Sequence, residues 1–404
     1  MRSNSIVFLI EPTYHGLQYV ELLKKSNTKY VIITRHKGPY EINDEEVIYD
    51  DSLDPETIVK KINEYLNGKE FLHKGILPGN DFCVPIAFAV ANKLGFKSNP
   101  EVAGIYSRNK ELMRSQLRLH NINQPKSKSF QSLEELKKEN FIFPVVVKPS
   151  DMTGSANVQL VYKAKELEDA ALRILNMKEN IVGYSHNNIV LVEEFVKGPE
   201  FSTELFLEEG KLVFANVSEK QKGELPYFVE TGHVVPSSIT NEEENRVLIE
   251  AGYKAARAIQ IVNGPVHAEM VLCEGKAKII EITPRIGGDN IMKLVDLATG
   301  VYLPELAIKQ CLGEKIEAVK KKNGGATIKF ITSRPGVLSK FDLEEMKEDP
   351  NIVDYSLDLF KGKCINSLKS SDDRLGYIIA IGSNGYEAKI NAEKAAKKIR
   401  IEVE

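Results

Sequence analysis

Apolar runs and amphipathic stretches alternate along the first hundred residues. SIVFLIEP (5–12) is apolar without a break up to Glu11, the pattern of a strand covered on both faces. A TYHG turn follows, and LQYVELLKKS (17–26) then spaces its apolar residues as a helix does. YVIITR (30–35) reads as a second strand and EEVIYD (45–50) as a weaker third. PETIVKKINEYLN (55–67) is helical, and GILPGNDFCVPIAFAVANKLG (75–95) reads as strand, loop and helix. Strands that alternate with helices predict an open, mostly parallel α/β sheet, placed here at residues 1–104.

Beyond residue 105 the pattern changes to hairpins. SRNKELMRSQLRLHNI (107–122) predicts one helix, with Ser107 as N-cap and Asn121 near its end. FPVVVKPS (143–150) and VQLVY (158–162) predict two strands joined by the small-residue loop DMTGSANV (151–158), a hairpin with a mobile tip. A helix, ELEDAALRILNM, comes next. NIVLVEEFV (188–196), EFSTELFLEEGKLVFANVSEK (200–220) and PVHAEMVLCEGKAKIIEITPR (265–285) supply strands, with hairpin turns at EEGK and CEGK. EENRVLIEAGYKAARAIQI (243–261) is a long helix. The last segment carries ATIKFITSRPGVLSKF, GYIIAIG and a closing helix, EAKINAEKAAKKIR. The expected divisions are 105–310, with a small hairpin lobe at about 125–187 and a main lobe at 188–310, and then 311–404. No repeat or low-complexity segment interrupts them.

Composition narrows the functions. Of 404 residues, 42% are hydrophobic and 27% charged, with a net charge of -3, so the basic excess of a dedicated nucleic-acid binder is missing. The four cysteines are scattered, which predicts neither a disulfide framework nor a zinc site and fits a reducing cytoplasm. The apolar run at the N-terminus is too short for a signal peptide, and no run is long enough for a membrane span. The GxxxxGK[ST] phosphate loop is absent. His267-Ala268-Glu269 matches the HxE of zinc deaminases, but the partnering PCxxC is missing.

Three stretches carry candidate chemistry. Glu269 in HAEMVL and Glu281 in IIEITPRIGGDN flank the CEGK turn, so adjacent antiparallel strands can aim both carboxylates the same way. Such a pair needs a cation between its members, and magnesium suits it, since that ion binds through one or two carboxylates plus phosphates. Two acids on a solvated sheet face would read the same. Lys148 ends the PVVVKPS strand just before the glycine-bearing loop, where a lysine and loop amides can hold phosphate; an edge-strand lysine is the plain alternative. VLVEEFVKGPE (190–200) offers an apolar slot, backbone groups and carboxylates, which suit adenine and ribose.

Lys110 in NKELMR, then FPVVVKPS and its loop, VEEFVKGPE, HAEM and IIEITPRIGGD stand in an order that resembles the ATP-grasp superfamily. The resemblance covers about residues 1–330, and the C-terminal segment resembles the lid-like subdomain of the same proteins. It implies an ATP-grasp α/β fold with an N-terminal Rossmann-like domain and a C-terminal α+β subdomain. It implies that Lys110, Lys148 and the loop at Ser155 bind ATP phosphates. Glu193, Glu194 and Val196 would line the adenine site, and Glu200 would hold the ribose. Glu269 and Glu281 would ligate magnesium, for which manganese can substitute. Arg285 and Lys148 would be the catalytic cations. Thr283 stands where many family members carry a metal-ligating asparagine, which leaves the two glutamates and water for the metal. FVETGHVVPS (228–237), followed by PRIGGD, resembles the L-amino-acid ligase branch and the carboxylate–amine ligases of peptide and antibiotic biosynthesis. There Glu230, His233, Arg285, Gly287, Gly288 and Asp289 would meet the substrate, with Glu230 on an ammonium, although Glu230 and His233 also read as surface loop residues. The implied reaction joins a small-molecule carboxylic acid to an amine, either of which a carrier protein can present, through an acyl phosphate, in a homodimeric cytoplasmic enzyme free of nucleic acid and membrane. A bicarbonate-using carboxylase-type enzyme and a non-enzymatic nucleotide-binding subunit remain as alternatives.

Overall fold

The computed structural model describes residues 4–35, 46–180, 183–319 and 321–404. The N-terminal strands β1 (Ser5–Ile10), β2 (Lys29–Thr34), β3 (Val47–Tyr49) and β4 (His73–Pro78) form a parallel sheet in the order β3-β2-β1-β4. The first residue of the expected third strand, 45, lies outside the described residues. Helices α1 (Leu17–Lys25), α2 (Pro55–Leu66), α3 (Val84–Leu94) and α4 (Glu101–Arg108) accompany the sheet. Every residue of β1 is buried, as its unbroken apolar run requires. Asn80 ends β4 with a tight turn: its side chain caps Cys83 N at 3.2 Å and donates to Glu11 O at 3.0 Å. That turn aims Asp81 at the rest of the molecule.

The helix expected over 107–122 is two helices. Ser107 lies inside α4, where its hydroxyl donates to Gly104 O at 2.9 Å, so it is not the cap. Asn109 leaves helical geometry at φ -110 and ψ 106, and its Oδ1 accepts from Glu111 N and Leu112 N to start α5 (Lys110–Leu119). Both helices are short and amphipathic, so their periodicities merge in the sequence. The buried face of α5 carries Lys110, Met113, Arg114 and Leu117, which places two cations among core residues at helical spacing.

A four-stranded antiparallel sheet follows, built from β5 (Ser127–Phe130), β6 (Val145–Pro149), β7 (Gln159–Val161) and β8 (Val190–Glu194) in the order β5-β8-β6-β7, with α6 (Leu133–Lys137) and α7 (Ala164–Leu175) packed on it. The hairpin expected from FPVVVKPS and VQLVY is the β6–β7 pair. β8, grouped by its sequence with the later strands, pairs with β5 and β6 instead.

The largest sheet has eight strands. It contains β9 (Glu200–Glu208), β10 (Lys211–Lys222), β11 (Glu230–Val235), β12 (Gly264–Cys273) and β13 (Lys276–Thr283), and the C-terminal strands β14 (Gly325–Phe330), β16 (Ile352–Leu357) and β18 (Gly376–Gly382) extend it. The order is β13-β12-β9-β10-β11-β14-β18-β16. The last segment is therefore joined to the main lobe by backbone hydrogen bonds between β11 and β14. A small sheet of β15 (Gly336–Asp342), β17 (Cys364–Ile365) and β19 (Arg400–Val403), with α11 (Glu344–Lys347) and α12 (Gly385–Lys398), completes that segment. Helix α8 (Glu242–Ala258) begins with a capping box of Asn241 and Glu244 and crosses the main sheet at Gly252, where a Cβ would come within 2.4 Å of Thr203 Oγ1. Helices α9 (Ile291–Thr299) and α10 (Leu303–Cys311) lead into the C-terminal strands. One core cluster runs from Ile6 and Phe8 in β1 to Phe201 and Leu205 in β9, so the N-terminal sheet shares its interior with the main lobe. No helix among the described residues is long and apolar enough to cross a membrane.

Candidate active site

A cavity of about 1260 Å³ lies between the N-terminal turn, the small lobe, the main sheet and the C-terminal segment. That exceeds the usual size of a single small-ligand pocket. Of the residues singled out in the sequence, all but Gly287 line it. Gly287 lies behind the wall, where a side chain would press to 3.1 Å from Glu204 Oε2 and 3.2 Å from His267 Nδ1. A small residue is required there for steric reasons.

At one end the wall is apolar, with Val146, Val196, Val271 and Ile280 facing the cavity beside the backbone of Glu194. The two acids of VEEF are already spoken for. Glu194 accepts from Lys278 Nζ at 2.6 Å. Glu193 accepts from Arg114 Nε at 2.6 Å and Lys148 Nζ at 2.7 Å, and all three side chains are buried. Arg114 also donates to Ile279 O and Ile280 O, which ties α5 to β13. Burial favours the neutral acid, but Arg114 and Lys148 outweigh it and hold the Glu193 carboxyl at about 2. Burial lowers the Lys148 ammonium below the ordinary lysine range, although Glu193 opposes that. Lys148 therefore sits where a phosphate would supply the charge partner that one glutamate shares between two cations.

The phosphate loop is anchored at its base. Lys110 Nζ donates to Met152 O at 2.5 Å and Arg108 donates to Asp151 O at 2.7 Å, while Met152 is buried. The far part of the loop is open: Gly154, Ser155 and Asn157 are exposed and have positive φ of 65°, 57° and 58°.

Glu269 and Glu281 are direct partners across the β12–β13 pair, as the hairpin arithmetic requires. Each holds a lysine ammonium. Lys110 Nζ lies 3.0 Å from Glu281 Oε1, and Lys220 Nζ lies 2.9 Å from Glu269 Oε1. His267 adds a contact of 3.1 Å to Glu269, with its other nitrogen 2.9 Å from buried Glu204. Burial opposes the imidazolium, but Glu204 and Glu269 together raise His267 to about 9. The donor set fits magnesium, since two opposed carboxylates are hard oxygen ligands and the nearby imidazole is engaged with acids. Among the described residues no group of three or more His, Cys, Asp or Glu is placed to hold a metal by itself. Glu269 and Glu281 would hold the ion, and phosphate oxygens and water would complete its shell.

Thr283 does not point at this pair. Its hydroxyl donates to Asp81 Oδ1 at 3.4 Å, and Arg285 Nε donates to the same oxygen at 2.6 Å. Thr153 of the phosphate loop donates to Asp81 Oδ2 at 3.2 Å. Burial would raise the Asp81 carboxyl, but Arg285 above all keeps it well below the usual range. Asp81 thus links the loop to Arg285, and the N-terminal sheet supplies it.

Glu230 and His233 lie on β11, inside the cavity wall rather than on a surface loop. Glu230 is not a free acid: Lys220 Nζ lies 3.2 Å from it and 3.0 Å from Glu200. His233 is buried, with Nε2 at 3.3 Å from Asp289, while its Nδ1 has no hydrogen-bond partner among the described residues. Asp289 is gripped by Arg374 through two bonds of 2.9 and 3.0 Å, and the guanidinium lies 3.7 Å over Phe330. Burial would raise the Asp289 carboxyl, but His233 and Arg374 hold it well below its usual range.

Four residues that sequence reasoning passed over complete the site: Asp81, Arg114, Lys220 and Arg374. Arg114 was accessible, being one helical turn beyond Lys110 on the same face. The other three come from distant strands and turns, and nothing local marks them.

The fold and the paired-strand site define a mixed α/β ATP-grasp enzyme. Residues 141–293 match the ATP-grasp domain, and residues 329–404 match the L-amino acid ligase C-terminal domain 2. Its homologues and structural neighbours are ATP-grasp ligases that form C–N bonds. It is 25% identical over 399 residues to the uncharacterized protein y4rH of Sinorhizobium fredii, covering 97% of this chain and 82% of that one. It is 29% identical over 175 residues to carnosine synthase 1 of Gallus gallus, covering 42% of this chain and only 18% of that longer protein. The L-amino acid ligase of Bacillus licheniformis shares the fold over 100% of both chains, with a TM-score of 0.82 at 21% identity.

Proposed function

We propose that the protein joins the carboxylate of an amino acid to an amine, with ATP converted to ADP and phosphate. The observation that carries this reading is the opposed Glu269–Glu281 pair in a cavity that Glu230 and His233 also line, with Lys220 in contact with both Glu269 and Glu230. ATP would lie with its adenine against Val146, Val196 and Ile280, its ribose at Glu200 and its phosphates at Lys110, Lys148 and the Ser155 loop. Magnesium at Glu269 and Glu281 supplies charge neutralisation and Lewis acidity on the phosphates.

A carboxylate is a poor electrophile, and the chain's residues make its activation feasible. Glu230 takes the α-ammonium and fixes the amino acid. Its carboxylate oxygen attacks the γ-phosphorus, the bond to the ADP oxygen breaks, and an acyl phosphate forms. Lys148 and Arg285 stabilise the charge on the transferred group. The amine nitrogen then attacks the acyl carbon, the tetrahedral intermediate expels phosphate, and the amine loses its proton. An ammonium held on Glu230 stays protonated, so this subsite suits the amino acid that is activated and not the nucleophile. Closure of the Gly154–Ser155 tip would keep water from the acyl phosphate.

The test is phosphate release from ATP and magnesium with a panel of amino acids, other acids, amines and bicarbonate. The expected result is release that requires both an amino acid and an amine, with ADP as the nucleotide product. Stoichiometric AMP and pyrophosphate would overturn the mechanism. Turnover that requires bicarbonate would replace this reading with the carboxylase-type one.

A further inference from the structure

We infer that Lys220 couples the metal end of the cavity to the amino-acid end, handing one N–H donor from Glu269 to the substrate carboxylate when the metal–nucleotide complex binds. This deepens the proposed function and rests on its assignments of Glu269 and Glu230.

The geometry is unusual in its convergence. Lys220 lies on the central strand β10, between Glu200 on β9 and His233 on β11 in the sheet register. Its Nζ reaches Glu200 at 3.0 Å, Glu230 at 3.2 Å and Glu269 at 2.9 Å, from three different strands. Only 2% of its side chain is exposed, so the three acids are its main charge partners. An ammonium has three N–H donors, and here each carboxylate accounts for one. The three acids have separate assignments: ribose, amino acid and magnesium. Lys220 is the contact common to all of them.

Metal binding changes this balance. A Glu269 oxygen bound to a cation no longer serves as an acceptor of the same strength, and the buried ammonium is left short of one partner. An unmet buried donor is costly. Glu230, the acid assigned to the amino acid, contacts the same ammonium, so the carboxylate to be activated would come within reach of Lys220. Lys222 cannot replace Lys220, because its ammonium is committed to Glu200 at 2.5 Å and stands 5.1 Å over the Phe228 ring. The amino acid should therefore bind more tightly to the enzyme carrying MgADP than to the free enzyme, and the coupling is reciprocal.

The experiment is calorimetry on the full chain, with MgADP and each of the twenty proteinogenic L-amino acids as probes. In the wild type, MgADP should tighten binding of the preferred amino acid roughly tenfold, within the usual span of coupling between sites. Lys220→Met should keep MgADP affinity or improve it, since a competing cation at Glu269 is gone, while the ratio falls to about one. Lys220→Arg keeps the charge, but its planar fork serves converging acids differently, so the ratio should be intermediate. If Lys220→Met does not fold, the arginine variant decides: a reduced ratio supports the inference, and a wild-type ratio overturns it. A Lys220→Met protein with the wild-type ratio overturns it as well. Wild-type binding of both probes without coupling overturns the inference alone. Wild-type failure to bind any amino acid in the presence of MgADP removes the underlying reading too.

Discussion

Two buried clusters of lysine and glutamate border the cavity, and their charge counts differ. Under the small lobe one acid, Glu193, is shared by Arg114 and Lys148, and the side chains are 2–5% exposed. On the main sheet three acids share Lys220, and their side chains are 12%, 15% and 25% exposed. The first cluster has a surplus of positive charge and is nearly closed, with Lys148 and Glu193 at the cavity wall. The second has a surplus of negative charge, eased by Lys222 on Glu200, and it opens toward the cavity. Similar side chains therefore serve different ends. A cationic surplus would suit phosphates, and an anionic surplus would suit a metal ion or an ammonium. Interactions in the closed cluster hold α5, β6 and β8 together; those in the open one are exchangeable.

The largest effect should come from the anionic end. Glu281→Gln keeps size and hydrogen bonding but removes a charge from the metal pair. Turnover should fall by about 10²–10³ or more, the scale of losing one preorganised electrostatic contact, while ADP binding measured by calorimetry changes little. A near-normal rate at saturating magnesium would sink the metal assignment.

At the closed end the expected loss is stability. Glu193→Ala leaves Arg114 and Lys148 buried without their acid and should cost roughly 3–5 kcal/mol, measured by urea denaturation. The sign of its pH dependence follows from its depressed carboxyl. The native group titrates at about 2, below the ordinary carboxylate value, so its contribution is present above that ordinary value and is lost as pH falls through about 2. The mutant should lack this part of the acid limb. An unchanged acid limb would mean that the cluster is not the strut it resembles.

Glu230→Ala should weaken the amino acid by roughly 2–5 kcal/mol, as when one partner of a desolvated charge pair is removed, with ATP affinity nearly unchanged. Equal losses for both ligands would show that Glu230 only supports Lys220. The smallest effect concerns the loop. Its tip at Gly154 and Ser155 should become protected from protease when an ATP analogue binds, while its base at Met152 stays protected throughout. Cleavage at the tip that is the same with and without nucleotide would count against a closing tip.

Much of the site was legible because its logic is local. The spacing of HAEMVLCEGKAKIIEI forces a hairpin, and a hairpin of that length opposes Glu269 to Glu281. The apolar run before Lys148 announces a strand end, and the order of the motifs points to the family. Locality also explains the misreading at Ser107, where two abutting amphipathic helices look like one and only the backbone at Asn109 separates them. At Gly287 the sequence does not show the steric demand made by Glu204 and His267 behind it, because both lie far away along the chain.

By itself, then, the sequence determined the elements, the carboxylate pair and the class of chemistry, since strand alternation and turn spacing act over a few residues. Only the tertiary structure decided which charges meet. Lys220 finds acids from β9, β11 and β12, Asp81 crosses from the N-terminal sheet to Arg285, and Arg374 returns from the C-terminal segment to Asp289. These contacts depend on strand order in an eight-stranded sheet and on lobes that close over one cavity. No local pattern encodes that order, because each partner is an ordinary charged residue until the fold removes the water between them.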